Sequence, residues 1–218
     1  MAVRAVVFDI GGVLEVPTDT DLAGRWERRL GLAPGEFFAR LRRSGLGGAA
    51  NLGRVSETEF GQKSGELYGL NEPATAELLE DLWDWYAGEL NTEMVGYFQQ
   101  LRPRYRTAIL SNAAAGGRRE EQARYGFDAM ADVVVYSYEV GMEKPDRRIY
   151  RLTCERLGVS PSEAVMVDDV EANVLAAREV GMRTVWFQST AQAISDLEAC
   201  LTQAEPAGTT LRGQPGQA

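Results

Sequence analysis

Short, largely apolar segments that end in acidic or polar residues constrain the fold of this chain more than any other feature. The first runs from Val3 to Phe8, stops at Asp9 and is followed by Gly11 and Gly12. A segment of this kind is typical of a strand buried on both faces of a parallel sheet, and the glycines allow the chain to turn after it. We therefore predict a strand with an acidic side chain at its carboxyl end.

After Thr92, similar segments alternate with helical patterns. Strands are predicted at 107–110, 133–135, 164–167 and 184–187, and helices at 94–101, 117–125, 146–157 and 172–180, the last with Gly181 as a C-cap. Strands that alternate with helices form a parallel sheet with helices on its faces. The predicted fold class is α/β, with a Rossmann-like, doubly wound parallel sheet.

The segment 18–90 has helical periodicity and no strand-like alternation. We predict that it is an all-helical cap inserted into a core domain formed by 1–17 and 91–202. The tail 203–218 is rich in Pro, Gly, Thr and Gln. Because such a composition buries little apolar surface, we expect the tail to be disordered.

Local signals divide the cap into helices. Thr20 or Asp21 is a candidate N-cap for a helix that ends near residue 30, and Pro34 is expected in the first turn of the next helix. Ser56 and Glu59 have the spacing of a capping box for a third helix. A fourth helix is indicated by an apolar stripe at helical spacing: Leu78, Leu79, Leu82, Trp83 and Tyr86.

Composition narrows the class of protein. The 218 residues contain 23 Lys and Arg against 32 Asp and Glu, so we expect no nucleic-acid or anionic-membrane partner, because both bind clustered positive charge. No apolar run approaches the roughly 18 residues of a membrane span. Two separated cysteines fit a cytoplasmic protein. Histidine is absent, which excludes Ser-His-Asp and Cys-His catalysis and histidine-ligated zinc.

Polar residues follow three of the predicted strands, at the edge where open parallel sheets bind ligands. They are Asp9, the pair Ser111 and Asn112, and the pair Asp168 and Asp169, while Lys144 lies in a loop before a helix. Taken singly, each has a structural explanation as a cap, a turn residue or a solvated charge. Taken together, three carboxylates in one cleft would repel one another, and a hard divalent cation beside the lysine is the simplest neutraliser. Because magnesium is commonly shared between carboxylates and a substrate phosphate, we predict a phosphate site.

The order Asp9-Ile10-Gly11-Gly12-Val13, Ser111-Asn112, Lys144 and Asp168-Asp169 resembles the haloacid dehalogenase-like (HAD) hydrolase superfamily, from the start of the chain to about residue 200. The helical insert resembles the cap of its subfamily I, as do the strings GMEKPD and VDDVEANVLAAREVGM. The resemblance implies a magnesium-dependent phosphatase that acts on a small phosphorylated metabolite through an aspartyl-phosphate. The oligomeric state is left open.

The resemblance also implies catalytic roles. Asp9 would be the nucleophile. Ser111 and Asn112 would hold the phosphoryl oxygens. Lys144 would bind the phosphate and offset the negative charge around Asp9.

A magnesium ion would be ligated by Asp169, a carboxylate oxygen of Asp9 and the backbone carbonyl of Gly11. Asp168 would act through a coordinated water or behind the metal ligands, and the roles of the two adjacent aspartates could be exchanged. Asn173 either orients this acidic loop or caps the helix that follows.

Gly11 departs from the family pattern. Phosphatases of the family usually carry a second Asp there as general acid and base, a role worth about 10²–10⁴-fold. We hypothesise either a substrate with a good leaving group, such as an anomeric or acyl phosphate, or a substitute acid, for which Glu15 and Glu143 are the nearest candidates.

Two other functions compete with the phosphatase. A non-catalytic phosphate-binding or regulatory protein would explain the missing acid. A 2-haloacid dehalogenase would attack carbon with Asp9 and need no metal, but the pair Asp168 and Asp169 counts against it.

Overall fold

The computed structural model describes residues 2–16, 18 and 21–202. Its strands are β1 (Ala5–Phe8), β2 (Glu15–Val16), β3 (Glu89–Leu90), β4 (Arg106–Ser111), β5 (Val133–Tyr136), β6 (Ala164–Asp168) and β7 (Arg183–Trp186). Five of them form one parallel sheet in the order β5-β4-β1-β6-β7. At the centre of this sheet, Phe8 lies opposite Ile109 on one side and Val167 on the other. The predicted parallel sheet is confirmed.

Helices cover both faces of the sheet and form the cap. They are α1 (Leu22–Leu30), α2 (Glu36–Ser44), α3 (Leu46–Asn51), α4 (Glu57–Tyr68), α5 (Glu72–Ala87), α6 (Thr92–Leu101), α7 (Ala115–Tyr125), α8 (Ser137–Val140), α9 (Arg147–Leu157), α10 (Glu171–Glu179) and α11 (Thr190–Thr202). In β1, Val6 and Phe8 pack in the layer that contains α6 and α11, whereas Ala5 and Val7 pack in the layer of α9 and α10. The sheet is therefore doubly wound and buried on both sides, as predicted.

The cap contains α1 to α5 and has its own apolar core. Trp26, Phe37 and Leu78 are each 1% exposed within it. The predicted capping box of α4 is confirmed, since Ser56 and Glu59 each bond the other's backbone N–H. Pro34 was wrongly placed in a first turn, because α2 starts at Glu36 after a glycine in the left-handed conformation. Asp21 precedes α1 but makes no side-chain capping bond, and Thr20 lies outside the described residues.

The cap leaves and rejoins the core through a two-stranded antiparallel ribbon. Glu15 of β2 pairs with Leu90, and Val16 pairs with Glu89 of β3. No strand is predicted near this junction from the sequence, because two residues are too few to show an alternating pattern. The helices α8 and α11 were also missed. The structure has Val180 as the C-cap residue of α10. Gly181, the predicted C-cap, therefore lies one position beyond it, with φ of 97°.

No helix in the described ranges is long and apolar enough to cross a membrane. The tail 203–218, for which disorder is expected, lies outside the residues that the structure describes.

Candidate active site

The predicted site residues meet at the carboxyl ends of β1, β4 and β6. A cavity of about 350 Å³ opens there. Its walls include Asp9, Gly11, Ser111, Asn112, Lys144 and Asp169 from the core, with Trp85 and Tyr86 of α5 from the cap. Asp168 is fully buried next to this cavity. The structure thus brings together residues more than 150 positions apart in the chain.

Lys144 bridges two of the carboxylates. Its Nζ lies 2.7 Å from Oδ1 of Asp9 and 2.7 Å from Oδ2 of Asp168. All three side chains are buried, so each charge depends on the others to offset the loss of hydration. Burial lowers the pKa of Lys144, but the two carboxylates outweigh that effect and raise its pKa above the ordinary value. The lysine therefore stays cationic next to Asp9.

The surroundings of Asp9 raise its pKa, so a further cation is needed to keep its carboxylate ionised. Burial raises its pKa to about 7, against the lowering effect of Lys144, and the charges of Asp168 and Asp169 raise it as well. Its Oδ1 also accepts the backbone N–H of Ile10 at 2.8 Å. A positive charge added near these carboxylates would favour the ionised form that a nucleophile requires.

The two adjacent aspartates have different surroundings. Asp168 accepts the amide of Asn173 at 3.0 and 3.2 Å and the N–H of Val170 at 2.9 Å, in addition to its bond with Lys144. Asp169 is exposed and lines the cavity. Asp168 is thus held by protein donors and orients the lysine, whereas Asp169 faces the space a ligand would enter. Asn173 binds the acidic loop, which supports its orienting role.

Gly12 gives the Asp169 carboxylate its space. The glycine has φ of 75°, and a Cβ at this position would lie 2.6 Å from Cγ of Asp169. A side chain at residue 12 would therefore be strained and would also displace the acidic group.

The cluster has the donor set of a hard divalent cation. Asp9, Asp168 and Asp169 offer oxygen atoms that all lie within 4.8 Å of one another. Three carboxylates face one lysine ammonium, which leaves an excess of negative charge. Carboxylate and carbonyl oxygens are the ligands of Mg²⁺, so the residues present fit this ion.

Asn112 clamps the backbone of Lys144. Its Oδ1 accepts the lysine N–H at 2.8 Å, and its Nδ2 donates to the lysine carbonyl at 2.8 Å. The family resemblance implies that this side chain holds phosphoryl oxygens. The clamp could not be predicted from the sequence, because the two residues are 32 positions apart. The carboxamide fixes the loop that delivers the ammonium to Asp9. Direct contact of Asn112 with a phosphate stays a prediction.

A buried acid pair adjoins the same cavity. Glu15, at the start of β2, lines the cavity and is 2% exposed, and Glu121 of α7 is fully buried. Burial first, and then mutual repulsion, raises the pKa of Glu15 to about 10; burial and Asp9 raise that of Glu121 to about 8. Of the two candidate acids from the sequence, the structure brings Glu15 into the cavity wall, whereas Glu143 is not among the wall residues. The sequence pattern of α7 did not mark Glu121 as buried among the other charged residues of this helix, so Glu121 was not predicted as a site residue.

Comparison with known proteins identifies the family. A model of haloacid dehalogenase-like hydrolases matches residues 3–181. The chain belongs to this family. The HAD-like chain is 30% identical over 219 residues to bifunctional epoxide hydrolase 2 of Sus scrofa, a match that covers 91% of the chain but only 39% of that protein. It is 28% identical over 189 residues to D-ribitol-5-phosphate phosphatase of Bacteroides thetaiotaomicron, covering 84% and 90% of the two chains.

Solved HAD structures share the fold. A family enzyme from Bacteroides thetaiotaomicron, in complex with magnesium and inorganic phosphate, aligns with a TM-score of 0.73 at 20% identity over 85% of this chain and 94% of that one. At this identity the likeness shows the fold alone. Two solved 2-haloacid dehalogenases also share it, with TM-scores of 0.59 and 0.63. The family is therefore shown by the match over residues 3–181, and the solved structures add the shared fold.

Proposed function

We propose that this chain is a magnesium-dependent phosphohydrolase that acts on a small phosphorylated metabolite through an aspartyl-phosphate. The observation that carries the proposal is the contact of Lys144 with both Asp9 and Asp168 next to the exposed Asp169. This arrangement offers a nucleophile, a cation for the phosphate and a ligand set for a hard metal. Phosphatases among the relatives support the same chemistry.

In the proposed reaction, a carboxylate oxygen of Asp9 attacks phosphorus and the bond to the leaving-group oxygen breaks. Lys144 stabilises the negative charge of the transferring group, and the hydroxyl of Ser111 binds one of its oxygens. Water then cleaves the aspartyl-phosphate, which releases inorganic phosphate and restores the carboxylate. Asp9, Asp169 and the carbonyl of Gly11 would hold the magnesium ion, which when bound neutralises phosphoryl charge.

The leaving group needs a proton that Gly11 cannot supply. Glu15 is the substitute acid that the structure favours, because it lines the cavity and its raised pKa keeps it protonated at neutral pH. Glu15→Gln should lower turnover of esters with poor leaving groups by about 10²-fold or more, with Glu143→Gln as the matched control. Full turnover in Glu15→Gln would leave only the hypothesis of a good leaving group.

The test of the function is phosphate release from a panel of phosphorylated metabolites, with magnesium and with a chelator, next to an Asp9→Asn control. Turnover that needs magnesium and disappears in the control is the expected result. A folded protein that binds magnesium and releases no phosphate would instead indicate a non-catalytic phosphate-binding protein.

A 2-haloacid dehalogenase is the second candidate, favoured by Gly11 and by its shared fold. Dehalogenation would survive chelation, whereas phosphate release would not. Halide release in the presence of chelator would therefore overturn the phosphatase proposal.

A further inference from the structure

A basic groove lies at the amino-terminal edge of the parallel sheet, where the strands begin. It has a volume of about 410 Å³. The charged residues that line it are Arg4, Arg102, Arg104, Arg106 and Asp132. Strand β1 connects this edge to the candidate active site, and the five residues from Arg4 to Asp9 span roughly 17 Å in an extended strand. The groove is therefore separate from the catalytic cavity.

The backbone around the groove is held by the sheet. The N–H of Arg106 donates to the carbonyl of Arg4 at 2.9 Å, which joins the starts of β4 and β1. The N–H of Asp132 donates to the carbonyl of Thr107 at 3.0 Å, and Oδ2 of Asp132 accepts the N–H of Thr107 at 2.9 Å. Because sites supported by regular elements are positioned more precisely than sites on loops, the groove has a preorganised floor.

Asp132 is shared between two arginines. Its Oδ1 lies 3.4 Å from Nε of Arg102, and its Oδ2 lies 3.7 Å from Nε of Arg106. The N–H of Thr107 and these two cations lower the pKa of Asp132, so the carboxyl group is ionised. The distance of 3.7 Å is too long for a hydrogen bond, and the Arg106 guanidinium makes none within the described residues. Its donors are therefore available to a ligand.

The other two arginines add further positive charge. Arg4 pairs with Glu163 at 3.2 Å. Arg104 forms no ion pair in the part of the chain that the structure describes. Its guanidinium carbon lies 5.5 Å from the centre of the Tyr105 ring, and its Nη2 lies 3.5 Å from the Tyr105 hydroxyl. Four arginines at the groove thus have two carboxylates between them.

Arginines elsewhere in the core are compensated more completely. Arg118 alone pairs with Asp128 at 2.7 Å and with Glu139 at 3.0 Å, and Arg124 also has two carboxylate partners. The chain as a whole has a formal net charge of -9, and the opposite edge of the sheet holds the three carboxylates of the candidate active site. The positive excess in the groove is therefore a local feature that attracts an anion.

We propose that this groove is a binding site for a small anion with two phosphoryl groups, such as a diphosphate or a bisphosphate. The guanidinium groups present forked donors that match phosphate oxygens. The volume lies within the roughly 300–1,000 Å³ of small-ligand sites, and two phosphoryl groups would use the unengaged donors of both Arg104 and Arg106. The proposed phosphohydrolase function is not needed for this inference, because no residue of the candidate active site takes part.

The test is calorimetric titration of the metal-free protein with inorganic pyrophosphate at low ionic strength. One binding site is expected, and Arg104→Gln and Arg106→Gln should each raise the dissociation constant about tenfold or more, because each removes charge-assisted hydrogen bonds. Arg28→Gln is the matched control: it removes the same charge from an exposed cap arginine paired with Asp21 and should leave the constant unchanged. No binding, or binding that both groove variants retain, would overturn the site. Inorganic phosphate that binds as tightly as pyrophosphate would overturn the proposed ligand class.

Turnover measurements separate the groove from the catalytic cavity. Neither Arg104 nor Arg106 lines that cavity, so phosphate release from the panel of phosphorylated metabolites should be the same in Arg104→Gln as in the wild type. Pyrophosphate binding lost together with turnover, at an unchanged free energy of unfolding, would assign the ligand to the catalytic cavity and overturn the groove site. If the wild type releases no phosphate from any compound, the phosphohydrolase fails, while the titrations of the two variants still decide the groove.

Discussion

Replacement of Gly12 by alanine should inactivate the site by moving Asp169. The new Cβ would lie 2.6 Å from Cγ of Asp169 and closer still to its Oδ2, whereas ordinary contact begins at 3.4 Å. The carboxylate would have to shift by about 1 Å, and a misplacement of that size can reduce turnover about 10²-fold. The positive φ of 75° adds a strain of about 1–2 kcal/mol in the folded state.

Gly126→Ala separates the two effects. Gly126 has φ of 68°, close to that of Gly12, but a Cβ there would meet nothing within 4 Å. Both variants should therefore lose about 1–2 kcal/mol of unfolding free energy. Only Gly12→Ala should also lose magnesium affinity and turnover.

The assay combines denaturant unfolding in the presence of chelator with magnesium titrations of phosphate release. Equal turnover and equal magnesium dependence in the two variants would refute the displacement of Asp169, because backbone strain alone would then explain the effect of Gly12→Ala. Loss of magnesium dependence in Gly126→Ala would refute it equally.

Three further predictions concern the supports of the site. Asn112→Ala leaves the backbone N–H and C=O of Lys144 without their partner. The free energy of unfolding should therefore fall by about 1–3 kcal/mol, and phosphate release should fall too. Unchanged values of both would contradict the clamp. The pKa of Glu121 is raised from 4.5 to about 8, so its protonated form is favoured in the fold and stability is lost as pH rises through that window. Glu121→Gln should make the free energy of unfolding, measured with chelator from pH 5 to 8.5, fall less steeply as the pH rises. An unchanged pH dependence would contradict a raised pKa of Glu121. Gly116→Ala would place a Cβ 2.6 Å from Cε2 of Trp83 and should destabilise the protein by about 1–3 kcal/mol, whereas Gly96→Ala, with no atom within reach, should not; equal stabilities would contradict the close approach of α7 to α5.

The strands, the helix caps and most residues of the candidate site could be predicted from the sequence, because they depend on residues close together in the chain. The apolar segment before Asp9 forms a strand because it is buried on both faces, and Ser56 caps α4 because its partner Glu59 is one helical turn away. The site residues were found in the same way, since the carboxyl ends of parallel strands meet at one edge of the sheet. The ribbon of β2 and β3 was missed, because a strand of two residues has no period to detect.

Tertiary contacts decided the remainder. The sequence left Asp168 and Asp169 interchangeable, and only the packing of Lys144 and Asn173 buried one of them and exposed the other. The acid pair beside the cavity consists of Glu15 and Glu121, which are far apart in the sequence. The part of the catalytic cavity wall formed by Trp85 depends on how the cap packs on the core. The physical reason is that a pKa, a clamp or a cavity wall depends on which distant side chains share a small volume, whereas periodicity and capping depend only on neighbours within one or two turns.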